Sequence, residues 1–443
     1  MLNHRKQILG WVMYDWANSA YITTVTVAVL PAYFAAVVVP KDGVVLGGIT
    51  YHATTLWGIT ISLAAFLVLI VAPILGAISD FSAAKKKFLM GFCYTGSLAA
   101  TLLFFCQAGD VWLTLFLFLI AQIGFVGANI FYDAFLPEIA SEEQMDWVSG
   151  KGFAYGYVGG GLQFGLSLGL IAGHQFFGIS ETLAARLALA MAGLWWAGFS
   201  LITVRHLKET QSGQPLPQEY RQFLPLIAYW KVGTIRTLVT LKKIQLFRHL
   251  LIFLIAYMIY SNGIQTVISM ATIYGKEELN FSTNVLMITL LVIQFVSVAG
   301  SLICSKIAES ISAKNMLMIT LVGWSMIVIY AYFMQSPREY FILGGLVGLV
   351  LGGSQSLSRS LYGAMIPPSA AAEFYGFYSI FNKGSALFGP LLFAIVNQFT
   401  GTARNSILSV IIFFIIGLIL LYTVDVKQAK MAKDSYLFTQ SEH

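Results

Sequence analysis

Residues 76–87 read GAISDFSAAKKK, and residues 305–315 read SKIAESISAKN. Both follow a long apolar run and lead into another. Gly76, Asp80 and Lys85 stand four and five residues apart, and Ser305, Glu309 and Lys314 repeat those intervals. Two more pairs recur in the same order. YDAFLP at 132–137 matches YGAMIP at 362–367, with Tyr five residues before Pro in each. GFAY at 152–155 matches GFYS at 376–379. Three ordered matches at equivalent places make the two halves of the chain an internal repeat.

The material between the matches is apolar. Of 443 residues, 58% are hydrophobic and 10% are charged, against about 25% charged in a soluble domain. So few charges cannot cover a soluble surface. This excludes a soluble multidomain enzyme, a disordered chain and a nucleic-acid binder. A spanning helix needs about 20 apolar residues. Apolar runs fall at 10–39, 53–79, 88–107, 111–136, 151–173, 183–204, 249–275, 283–305, 314–334, 339–364, 372–399 and 403–425. The expected fold is an all-α membrane protein with twelve transmembrane helices in two pseudo-symmetric six-helix halves. The domains are 1–204 and 249–443, joined by a central loop at 205–248.

That loop holds eight basic residues against Glu209 and Glu219, which equals the whole net charge of +6. With the N-terminus in the cytoplasm, nineteen basic residues fall on the cytoplasmic side and five on the other. The positive-inside rule then puts both termini and the central loop in the cytoplasm. Aromatics, aliphatics and spaced cations along the loop suit either a surface amphipathic helix or a loose linker. The first apolar stretch is interrupted by Asp15 and Asn18 and lacks a cleavage site, so it reads as a span, not a signal peptide. Cys93, Cys106 and Cys304 have no metal-ligand spacing and read as small packing residues. No metal, cofactor or catalytic constellation is expected.

Two parallel six-span repeats around a linker are the plan of a secondary transporter, with substrate between the halves near the bilayer midplane. Polar residues inside spans are costly and mark function. In span 1, Tyr14, Asn18 and Tyr21 share a face, with Asp15 beside it. Span 4 aligns Gln122, Asn129 and Asp133. Span 7 aligns Asn262, Gln265 and Ser269, and span 10 aligns Gln355, Arg359 and Tyr362. Four stripes at repeat-related positions point to one shared cavity. Arg359 lies about 12 Å into its span and needs a carboxylate partner, either Asp133, Glu138 or a substrate carboxylate. Asp15 is the expected proton carrier. Lys383, beside Asn382, is a second cation in the site. Asp80 and Lys85, with Glu309 and Lys314 in the repeat, are expected to clasp the cytoplasmic side. Glycines recur every four residues at 161–173 and 344–352, a spacing that lets helices approach closely.

The loop at 76–87 resembles the helix 2–3 motif of the major facilitator superfamily, with Phe81 where a basic residue is usual. Four further stretches are similar to its vacuolar effluxer branch, the autophagy-related amino-acid effluxers and their bacterial relatives. They are YDWANSAY with Pro31-x-Tyr33-Phe34, FYDAFLPEIA through SGKGFAYGYVGGG, YMIYSNGIQTV, and GGSQSLSRSLYGAMIP through FYGFYSIFNKGSALFGP. The resemblance runs from about residue 10 to 425. It implies that helices 1, 4, 7 and 10 line the cavity, and it implies secondary transport, with amino-acid efflux in the vacuolar members. The chain departs from the pattern at Asn262, where aspartate is frequent, and at Asp133, where asparagine is frequent.

The expected function is alternating-access transport of a small polar organic solute, an amino acid first, coupled to a proton or another ion. The protein is expected to be a monomer in the lipid bilayer of a bacterial plasma membrane. The rival readings are a carrier of a sugar, nucleoside or drug-like solute, and a non-transporting sensor or scaffold built on the same fold.

Overall fold

The computed structural model describes residues 2–209, 213, 217–242, 247–384 and 388–441. Helices form at all twelve expected places. The N-terminal half holds α1 (Arg5–Val38), α2 (Ala53–Ser82), α3 (Lys85–Phe105), α4 (Val111–Ile139), α5 (Met145–Ala172) and α6 (Glu181–His206). The C-terminal half holds α7 (Arg248–Lys276), α8 (Thr283–Ile311), α9 (Ala313–Phe333), α10 (Pro337–Met365), α11 (Ala371–Gly384 and Phe388–Thr400) and α12 (Ala403–Thr423). Ten of these, among the described residues, are long and apolar enough to cross a membrane. The other two are the glycine-rich α5, 28 residues long, and the divided α11.

Local sequence sets the ends and bends. Ser336 and Glu339 form a capping box at the start of α10, with Pro337 at the first position. Both unpaired N–H groups there gain a partner. In α1 the backbone widens to π-type turns over Tyr21–Ala28. A run of β-branched residues at 22–27 and the missing N–H of Pro31 weaken the ordinary ladder there. An element not expected from the sequence is the hairpin between α1 and α2, in which β1 (Val44–Leu46) pairs antiparallel with β2 (Ile49–Tyr51). Its two-residue turn is Gly47–Gly48, both at positive φ, as a type I′ turn demands.

The repeat is visible in the packing. Within the first half α1 lies on α5 and α6, and α3 on α4 and α6. Within the second half α7 lies on α11 and α12, and α9 on α10 and α12. The halves meet through α2 with α11 and through α5 with α8, two contacts exchanged by the same pseudo-two-fold. The matched motif positions sit in those seams. A Cβ on Gly76 would lie 2.3 Å from the Ala372 carbonyl oxygen, and the equivalent Ser305 faces Gly150 of α5. The motif glycine is thus explained by close approach of α2 to α11.

The central loop is a helix over part of its length. Pro225–Lys242 packs along α2, with Gly233 against Ile74 and Ile78. Leu224, Ile227, Trp230 and Leu238 stay exposed. The helical alternative is the one found. A tail helix, Val426–Ser441, follows α12. The glycine stripes behave differently from each other. Gly344, Gly348 and Gly352 seat α10 on α8, whereas Gly165 and Gly169 have open space before them. On α5 the close contacts fall instead at Gly152, Gly156 and Gly159, against α1.

Candidate functional site

Between the halves lies a cavity of about 530 Å³. It is lined by α1, α4, α5, α7, α8, α10 and α11. It runs from Asp15, Asp133 and Arg359, near the ends that carry the termini, to Val27, Ala271 and Tyr340 toward the far ends. All four expected stripe helices contribute. Much of the lining is apolar, with Ile22, Ile264, Leu290, Ile293, Val347 and Leu351 among it; set into it are the amides of Asn18, Asn129, Gln265, Gln355 and Asn382 and the rings of Tyr157, Tyr257, Tyr260, Tyr375 and Tyr378.

Arg359 forms the floor. Its Nη1 reaches Asp15 Oδ2 at 3.1 Å and Asp133 Oδ1 at 3.3 Å. Its Nε donates to Ser149 Oγ at 3.0 Å, and its Nη2 to the Ser149 carbonyl at 2.9 Å. Four of the five guanidinium N–H groups therefore have acceptors. The flat faces are covered by Phe153 and Trp11, at 4.1 and 4.6 Å from Cζ to the ring centres. Trp11 in turn stacks on Tyr132 at 4.5 Å. A Cβ on Gly152 would stand 2.7 Å from both Arg359 Nη2 and Asp15 Oδ2, so only glycine lets α5 approach the pair. Removing one partner from such a buried pair costs about 3–5 kcal/mol. Of the partners weighed for Arg359, Asp133 is one and Asp15 is a second; Glu138 is elsewhere.

Other expected residues separate into lining and supporting positions. Asn18 lines the cavity and donates to Asn129 Oδ1 at 2.7 Å; Gln355 lines it and accepts from Tyr157 at 2.6 Å. Asn382 lines it and donates to Tyr257. Tyr14, Tyr21, Gln122, Asn262 and Tyr362 are not among the lining residues. Tyr14 is fully buried against Tyr132, on the side of its helix away from the cavity. Tyr21 donates to Gln122 at 3.0 Å, joining α1 to α4 inside the first half. Asn262 Oδ1 accepts the Gly389 N–H at 2.5 Å, at the start of the second segment of α11. Tyr362 donates to the Phe374 carbonyl at 2.6 Å. A helical stripe spans more than the cavity's arc, so its flanking members turn into the helix packing. The Lys383 side chain lies outside what the structure describes.

Ser149, Trp11 and the lining residues Tyr157, Tyr257, Tyr260, Tyr375 and Tyr378 are not singled out by the sequence reading. Ser149 carries no periodic signal. Tyr257 lies two i, i+4 steps before Gln265, through Ser261, whereas Tyr260 lies off the stripe of Asn262, Gln265 and Ser269.

Below the floor lies a second polar layer. Lys85 pairs with Asp80 at 2.9 Å and with Glu138 of α4. Asp80 also accepts the N–H groups of Ala372 and Glu373 at 3.3 and 2.9 Å, tying α2 to the first turn of α11 across the halves. A carboxylate at a helix N-terminus is favoured by the exposed donors and the dipole. Glu209 accepts the N–H groups of Lys85 and Lys86 at 3.1 and 3.0 Å; burial pushes its carboxyl up, against those hydrogen bonds. The repeat does not reproduce this layer. Glu309 pairs with Lys306 at 2.5 Å on the surface. Lys314 donates to the Tyr422 and Val424 carbonyls at 2.8 and 2.7 Å, capping the end of α12. Spacing alone does not fix which way a side chain leaves its helix, and Glu309 leaves outward. The same end of the molecule is spanned by the tail helix, whose Lys430 and Lys433 pair with Glu142 in the α4–α5 loop.

Comparison with known proteins follows this geometry. A family model described as vacuole effluxer Atg22 like matches residues 3–434. The MFS-type transporter YxiO of Bacillus subtilis (strain 168) is 36% identical over 425 residues, covering 95% of each chain. Autophagy-related protein 22 of Coccidioides immitis (strain RS) is 24% identical, covering 96% of this chain and 87% of its own. Among solved structures, a single-residue variant of the E. coli fucose:proton symporter FucP matches with a TM-score of 0.69 at 13% identity, over 95% of this chain and 98% of that one. The human organic anion transporter MFSD10 matches with a TM-score of 0.66 at 14% identity, over 94% and 99%. These two show the fold.

Proposed function

The chain belongs to the Atg22-like vacuole effluxer family within the major facilitator superfamily, and on that premise we propose that it carries a small polar organic solute, an amino acid first, by alternating access. It is a multi-pass membrane transporter, not an enzyme. One observation carries the substrate reading: a cavity whose largely apolar wall is set with five amides and several tyrosines, with paired charges at one end, lies between two pseudo-symmetric halves. A solute rich in hydrogen-bonding groups is matched by such a lining.

Arg359 acts as a lock in this state. A substrate carboxylate would have to displace Asp15 or Asp133 from a guanidinium already used on four sides. Asp80, Lys85 and Glu138 form the second layer of the same closure. We assign this closed end, with both termini, to the cytoplasm on the strength of the basic residues gathered there. The relative from Bacillus subtilis supports a bacterial plasma membrane; we propose that the protein acts there as a monomer. Transport begins when both layers part and the far ends of the helices close.

The test is uptake of pooled labelled amino acids into proteoliposomes, with and without an imposed pH gradient. Accumulation above protein-free vesicles supports the reading. Folded protein that accumulates none of the pool moves the assignment to another solute class.

A further inference from the structure

The charges of the cavity do not balance within the protein. Among the described lining residues, the carboxyl and guanidinium groups are those of Asp15, Asp133 and Arg359. Two carboxylates share one guanidinium, so the fully ionised site has one negative charge in excess. The two carboxylates are held differently. Asp15 accepts the Tyr132 hydroxyl at 2.6 Å as well as Arg359 at 3.1 Å. Asp133 accepts Arg359 alone among the described residues, at the longer distance of 3.3 Å. Its side chain is also the more exposed, 18% against 12%.

An uncompensated charge away from water costs several kcal/mol, so a mobile cation must neutralise it. The surroundings of Asp133 say which cations suit. The side chains that share the cavity with it are Asp15 from α1, its neighbour Tyr132, Tyr257 from α7, Arg359 from α10, and Tyr375 and Tyr378 from α11. Tyr257 and Tyr378 stack at 4.4 Å and both line the cavity. Tyrosine oxygens, amide oxygens and a carboxylate gathered in one cavity suit an ammonium group, which has three N–H donors to place. From α5 the cavity gains Tyr157, and from α8 no ionisable group, among the described residues.

We propose that the solute bears an ammonium group that pairs with Asp133, and that a proton takes its place on the return stroke, so that solute and proton move in opposite directions. This rests on the transport reading above and deepens it. When the ammonium leaves, the Asp133 carboxylate takes one proton from the water it then faces. When the next ammonium binds, that proton goes to the water on the other side. Either cation closes the charge count, and one carboxylate cannot hold both. While the lock is closed, Asp15 matches the Arg359 charge. On this proposal the proton is carried by Asp133, where the sequence reading expects Asp15.

The test uses purified full-length protein in weakly buffered detergent with a pH dye. The probes are a pool of free amino acids and the same pool N-acetylated, both adjusted to the starting pH. Binding is read by thermal shift and proton release by the dye. The free pool should bind and release about one proton per protein, and the acetylated pool should do neither. Asp133→Asn should weaken binding about tenfold or more and abolish release, and Asp133→Glu should keep both. Equal binding of the acetylated pool overturns ammonium recognition and leaves solute transport standing. Binding without proton release overturns the exchange. If neither pool binds, this proposal and the amino-acid reading fall together.

Discussion

Arg359 on α10 and Asp15 on α1 meet at 3.1 Å across the boundary between the two halves, 344 positions apart in the chain. The contact stands at the floor of the cavity, so it closes one end of the path as it joins the halves. Arg359→Ala leaves two carboxylates facing each other without a counter-charge. A loss of about 3–5 kcal/mol corresponds to a fall of about two to four orders of magnitude in the population of this closed state. Thermal unfolding of the variant should start well below that of the native protein. Adding Asp15→Asn and Asp133→Asn to Arg359→Ala should recover part of the loss, because the stranded charges are gone.

Asp80 and Glu309 occupy equivalent places in the repeat but should respond differently to the same change. Asp80→Asn weakens a buried pair and the hold on Ala372 and Glu373. Glu309→Gln removes an exposed pair, worth about 0–1 kcal/mol. Transport rates should change several-fold for the first and less than about twofold for the second. Equal effects would mean that both motif copies act as gates.

Gly76→Leu should separate α2 from α11. Its Cβ would meet the Ala372 carbonyl at 2.3 Å, and backbone cannot yield as a side-chain tip can. The expected result is a protein that inserts and folds but no longer closes this end.

The tail helix gives a pH test outside the bilayer. Partial burial pushes the Glu142 carboxyl up, but Lys430 and Lys433 outweigh it and hold the carboxyl below its ordinary value. A depressed carboxyl contributes stability that is complete above the ordinary value, about 4.3. That stability is lost as pH falls through the carboxyl's own lower value. The latch should therefore stay closed at neutral pH and loosen in acid. The pairs are partly exposed, so the contribution is about 1 kcal/mol or less. Glu142→Gln at neutral pH should raise the rate of tail proteolysis as acid does in the native chain, and high salt should do so in part.

The twelve helices and their repeat were legible in the sequence because a bilayer demands long apolar runs and a repeat copies its motif spacing. The four polar stripes located the cavity for the same reason: polarity inside a span is costly enough to be informative. What the stripes could not tell was which members face the cavity. Tyr14 and Asn18 are one turn apart, yet only Asn18 lines the cavity. The pairing of Arg359 with Asp15 was equally hidden, since it depends on how α1 and α10 meet across the halves. The hairpin at 44–51 lay in a short loop with a Gly47–Gly48 turn signal that a search for spans passes over. Likewise, the copied spacing of Glu309 and Lys314 carried no information on side-chain direction.

Alternating access behind an Arg359 lock is most directly tested at Asn129, which lines the cavity beside the floor. Cys93, Cys106 and Cys304 are buried, so a thiol introduced as Asn129→Cys stands out against a low background. The measurement is its rate of reaction with a membrane-impermeant thiol reagent added from each side of the membrane in turn. The account predicts labelling from the side opposite the termini, and a shift toward the terminus side when Arg359→Ala is added. Labelling from the terminus side in the unaltered lock, or a pattern that Arg359→Ala leaves unchanged, would contradict it.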